Sequence, residues 1–103
     1  MKPSPKLILV PIALLCASPA FAHGNIQCHS GPKSAWKSVE TLKATILAQG
    51  WKIKKAKAEK DCYEVYGTTP ERDKVEAFFH PVTLQKILVL RRGQVLYRAP
   101  GHK

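Results

Sequence analysis

Between residues 51 and 79 apolar and polar side chains alternate with a period of two in three separate runs, and that pattern allows little besides an antiparallel sheet. WKIKKAK (51–57) sets Trp51 and Ile53 against lysines. After the turn AEKD, CYEVYG places Tyr63 and Val65 on one face and Cys62, Glu64 and Tyr66 on the other. After the polar turn TTPERD, KVEAFFHP sets Val75, Ala77 and Phe79 against Lys74, Glu76 and Phe78, and Pro81 ends the run. KILVLRRGQVLYR (86–98) reads as two more strands joined around Arg92-Gly93.

A sheet with one apolar face needs a second layer, and residues 39–49 supply it. Val39, Leu42 and Ile46 recur at helical spacing, Ser38 is placed to cap the first turn, Glu40 complements the helix dipole, and Gly50 is a good stop. One apolar stripe implies one partner layer. The expected fold is therefore α+β, with one principal helix on an antiparallel sheet of four or five short strands.

Residues 1–22 carry Lys2 and Lys6 ahead of an apolar stretch that ends Ala20-Phe21-Ala22, which reads as a secretory signal. This divides the chain into a signal (1–22), a polar arm (23–37), a folded domain (38–99) and a tail (100–103). The expected compartment is the periplasm or the extracellular space. Removing the signal also removes Cys16, leaving Cys28 and Cys62. In an exported protein an even pair reads as a disulfide, here between positions about 34 residues apart, that ties the arm to the CYEVYG strand.

Basic residues number 17 and acidic residues 7; losing Lys2 and Lys6 takes the net charge from +10 to +8. Such a balance favours an acidic protein or peptide, or peripheral contact with anionic lipid. Export and the lack of any zinc-finger, helix-turn-helix or aromatic RNA-binding pattern argue against nucleic acid.

The stretch LKATILAQGWKIKKAKAEKDCYEVYGTTPERDKVEAFFHPVT resembles the PepSY family, in small free-standing exported form. The helix-ending glycine is Gly50, the YEV core is Tyr63-Glu64-Val65, and the closing D-P-x-T-G turn is matched by His80-Pro81-Val82-Thr83. Two positions depart from the pattern. His80 replaces the aspartate, and Leu84 replaces the final glycine, which suggests a turn without a left-handed glycine. The resemblance implies a binding or regulatory role, and for propeptide members inhibition of a secreted peptidase or assistance in folding.

The residues themselves carry three candidate chemistries. Lys52, Lys54 and Lys57, with Arg91, Arg92 and Arg98, form a basic contact surface if they face one side; Tyr66 and Phe78 join it if the arm leaves them open, or support the arm beside the disulfide if it does not. Glu64 and Glu76 are expected on the outer sheet face, paired with lysines such as Lys52, Lys54 or Lys74 rather than serving as an acid/base pair. His23 at the processed N-terminus would offer an amine and a ring nitrogen suited to Cu(II), with His29 or His80 adding another nitrogen, which makes a copper-binding accessory protein the alternative reading. No nucleophile triad, phosphate loop or HExxH motif occurs in the sequence. The expected protein is a non-enzymatic binding domain that needs no cofactor.

Overall fold

The computed structural model describes residues 26–102. A 3₁₀ turn over Lys33–Ala35 leads into helix α1 (Val39–Ala48), followed by strands β1 (Lys52–Glu59), β2 (Cys62–Thr68), β3 (Lys74–Phe79), β4 (Lys86–Arg91) and β5 (Gln94–Arg98). The strands form one antiparallel sheet whose spatial order is the chain order. The α+β layout anticipated from the alternation is the one observed.

Helix α1 begins and ends where its sequence directs. The Ser38 hydroxyl accepts from the Thr41 N–H at 3.1 Å. At the other end Gly50 takes φ +99°, letting its own N–H reach the Leu47 carbonyl and the Trp51 N–H reach the Ile46 carbonyl, both at 3.1 Å. These paired bonds are a Schellman motif, and they turn the chain sharply into β1.

Cross-strand pairing fixes which residues share a face. Ala56, Val65, Ala77, Val89 and Tyr97 make a row across all five strands on the helix side. There Leu42, Ile46, Trp51, Tyr63 and Phe79 complete the core, with Trp51 edge-on to Phe79 at 5.6 Å. On the outer face run two further rows, Lys57–Glu64–Phe78–Leu88–Arg98 and Lys55–Tyr66–Glu76–Leu90–Val95. The first is roofed by the arm: Cys28 is bonded to Cys62, the Asp61 carboxylate accepts from the Cys28 and His29 N–H groups at 3.1 and 2.8 Å, and Ile26 packs with Phe78 and Ile87. The sheet thus has an apolar core on each side.

A β-bulge interrupts β1 between Ile53 and Lys55. Strict alternation would put Lys52 and Lys54 together; the extra residue instead brings Lys52, Lys55 and Lys57 onto the outer face and leaves Lys54 at the irregularity. Opposite it, Gly67 lies so close to β1 that a methyl group would overlap the Lys52 carbonyl oxygen.

The closing turn explains both departures from the family pattern. His80 Nδ1 accepts from the backbone N–H groups of Val82 and Thr83 at 3.1 and 3.3 Å, as an aspartate oxygen does in an Asx turn. Leu84 takes the left-handed conformation (φ +63°) without being glycine, while packing against the core. The glycine is absent, but the backbone geometry that favours it remains. His80→Ala is expected to cost about 1 kcal/mol in chemical denaturation, by analogy with loss of a cap, and His80→Asp to restore most of it.

Candidate functional site

The two sheet edges are unlike. At one, β1 carries Lys52, Lys54, Lys55 and Lys57 and a bulge, the devices that keep an edge from pairing with another chain. At the other, β5 has a bulge of its own at Leu96, but all five of its residues are exposed, and Val95, Leu96 and Tyr97 form a continuous apolar run at 43, 42 and 36 % exposure. Among the described residues no strand lies beyond β5. The type I′ turn that delivers it has both central residues left-handed, Arg92 at φ +52° and Gly93 at φ +77°.

On the helix side of β5 is an open cleft of about 590 Å3. Trp51 and Val89 form its apolar base and Leu96 and Tyr97 its β5 wall, while Gln49 and Glu71 lie on the opposite rim. It exists because α1 is ten residues long and sits over the β1 side of the sheet, leaving the β4–β5 side unroofed. Lys86 stands 4.4 Å above the Tyr97 ring, and Asp73 binds Arg91 at 2.9 Å.

Positive charge collects at one end of the sheet. Because the strands alternate in direction, the start of β1, the β2–β3 turn and the β4–β5 turn come together. One groove, of about 410 Å3, brings Lys54, Tyr66, Lys74 and Arg92 together; an adjoining one of about 430 Å3 adds Arg72 and Arg91. The cations expected from the two separate sequence clusters therefore meet in part. Lys57 is not with them: it lies further along β1, 3.9 Å from Glu64 and 3.8 Å from Glu59. Arg98 is at the far end of β5.

Phe78 requires correction as a surface residue. It is fully buried, because the arm, the disulfide and Ile87 enclose it on the outer face. Tyr66 is half-buried, with Lys55 Nζ 5.7 Å from its ring. The residues not anticipated are Lys55, Arg72 and the β5 trio. The adjacent apolar residues of QVLY, which break the alternation, were the available signal for the trio.

Glu64 and Glu76 do share the outer face, but Glu64 is only 2 % exposed. The Tyr66 hydroxyl donates to Glu76 Oε2 at 3.3 Å. Burial, a hydrogen bond that the protonated Glu76 donates to Glu64, and the Glu64 charge push the Glu76 carboxyl up to about 7, with a small contribution from Glu59 and partial opposition from the Tyr66 hydroxyl. Burial and the same two carboxylates raise the Tyr66 hydroxyl as well. A carboxyl that holds its proton more tightly folded than unfolded stabilises the fold most at low pH. Stability is expected to fall as pH rises from about 4.5 to about 7 and then level off. Because Glu76 is half-exposed, the slope should stay well below the ceiling of about 1.4 kcal/mol per pH unit. Urea unfolding at a series of pH values checks this, and Glu76→Gln should flatten the dependence.

Of the proposed copper ligands, His23 lies outside the described residues, His29 is exposed on the arm, and His80 uses Nδ1 in its turn. Among the described residues the one grouping of three candidate ligand atoms is Cys28, Asp61 and Cys62, and both sulfurs are consumed in the disulfide. The copper reading is therefore not favoured.

Residues 6–88 match the PepSY_2 family model, described as the peptidase propeptide and YPEB domain. The chain belongs to this family. PepSY domains are propeptide and regulatory modules rather than catalysts, and this chain is non-enzymatic in the same sense. The match ends at Leu88, inside β4, so the exposed β5 edge of this PepSY domain lies beyond the matched span. No curated protein and no solved structure matches the chain.

Proposed function

We propose that this PepSY domain is an exported binding or regulatory module that takes an acidic, extended segment of a partner protein as a sixth strand along β5. The observation that carries this reading is the asymmetry of the edges: β1 is guarded by four lysines, whereas β5, which like β1 contains a bulge, presents an exposed edge whose central residues are the apolar Val95, Leu96 and Tyr97. Strand addition supplies affinity through main-chain hydrogen bonds that any extended segment can make. Charge then selects among segments. Arg92 at one end of β5 and Arg98 at the other favour an acidic strand and oppose pairing with a second, equally basic copy. The disulfide supports an oxidising compartment, and the family description makes a secreted peptidase the first partner to try.

The test uses an acetylated heptapeptide alternating glutamate and valine, with a lysine–valine peptide as control. Amide exchange at β5 should slow at least tenfold with the acidic peptide, and the protection should fade in about 0.5 M salt, where screening is nearly complete beyond ~5 Å. Unchanged exchange at β5, or equal binding of the lysine peptide, removes the reading. Sedimentation showing a dimer that protects β5 would replace the acidic partner with a second copy.

A further inference from the structure

The cleft beside β5 has a use that backbone pairing leaves open. We infer that it is a side-chain pocket selecting a bulky apolar or aromatic residue in the segment added at β5, so that the partner strand alternates acidic residues with a large apolar one. This deepens the strand-addition reading and rests on it.

The argument begins with the row Ala56–Val65–Ala77–Val89–Tyr97, which crosses the whole sheet on the helix side. Residues paired across a sheet point to the same face, and a sixth strand lies about 4.8 Å beyond β5. The residue opposite Tyr97 therefore extends this row, with its side chain beside the Tyr97 ring and the mouth of the cleft. Its neighbours in the strand point to the outer face. One of them comes beside Arg98, which ends the Lys57–Glu64–Phe78–Leu88 row. At the Tyr97–Arg98 step, beyond the bulge at Leu96, the sheet thus specifies two chemistries on opposite faces, apolar beside Tyr97 on the helix side and acidic beside Arg98 on the outer side.

The cleft suits the first. Its base is Trp51 and Val89 and its near wall Leu96 and Tyr97, while Asp73 is taken up by Arg91 and Lys86 is seated over Tyr97. Its volume of about 590 Å3 lies within the ~300–1,000 Å3 range of small-ligand sites. A residue of alanine size would leave Trp51 and Val89 uncovered. A phenylalanine reaches over the Tyr97 ring and shields them, and aromatic contact with Tyr97 adds to the apolar burial.

The acetylated heptapeptide with glutamate at positions one, three, five and seven, valine at two and six, and either alanine or phenylalanine at four provides the test. Titration calorimetry should give about tenfold tighter binding for the phenylalanine form, and Trp51 emission should shift with that form alone. In Tyr97→Ala, whose altered side chain is more than a third exposed, the ratio of the two affinities should shrink to twofold or less. A melting curve confirms that the variant is folded, and Leu96→Ser serves as a second probe of the same wall. If both peptides protect β5 equally, or if the preference survives in both variants, the pocket assignment is overturned and strand addition stands. If neither peptide protects β5, the underlying reading fails as well.

Discussion

Opening the Cys28–Cys62 bridge should lower stability by about 2–4 kcal/mol, a large share of the ~5–10 kcal/mol a small domain commands. The bridge joins positions 34 residues apart and holds the arm over the outer face. Asp61 contributes two hydrogen bonds to the arm backbone, but one of them is exposed, and together they do not replace a covalent tie. Without the bridge Ile26 and Cys28 can lift away from Phe78 and Ile87, so the loss includes apolar burial as well as chain entropy. Guanidinium unfolding of the oxidised protein and of the Cys28→Ala/Cys62→Ala variant measures the difference. The variant should also bind a dye specific for exposed apolar surface. An unchanged midpoint would mean that the arm is held by its other contacts alone.

Gly67→Ala should be nearly as damaging, at about 2–3 kcal/mol. The residue needs no left-handed backbone; the difficulty is space, since an added methyl meets the Lys52 carbonyl oxygen, which is part of the neighbouring strand rather than a side chain free to turn away. Relief requires the first residues of β1 to separate from β2 at the bulge. Thermal melting should show the loss, and amide exchange should quicken at Ile53 and Lys55 more than at β3 or β4. A melt within 2 °C of the parent protein would show that the bulge can absorb the extra carbon.

Most of the fold was legible because local rules govern it. Period-two runs located the strands, Ser38 and Gly50 bounded the helix, and the pair of cysteines left after an expected signal pointed to a bridge. The bulge left a trace too: apolar positions 51 and 53 are followed by 56 and 58, a spacing of three where two was due. The site was less legible because it depends on topology. Arg72 and Arg92 are twenty residues apart and meet only because neighbouring turns emerge at one end of the sheet. Parity placed Phe78 and Glu64 on the outer face correctly, yet says nothing of whether an arm covers that face. The vacancy beside Tyr97 likewise reflects the short reach of α1, which no pattern within β4 or β5 records.

The coincidence of spatial and chain order also bears on how the domain assembles. Every strand pairs with its immediate successor, so the sheet can form hairpin by hairpin with little loop entropy to overcome at each step. The arm is different, because Cys28 has to find a sulfur on a strand whose own pairing must first be correct. Oxidative refolding should therefore proceed in two stages, rapid sheet formation followed by a slower closure whose rate depends on the thiol oxidant. β5 ends the strand order, so among the described residues its outer edge stays open to a neighbouring strand once the sheet has formed.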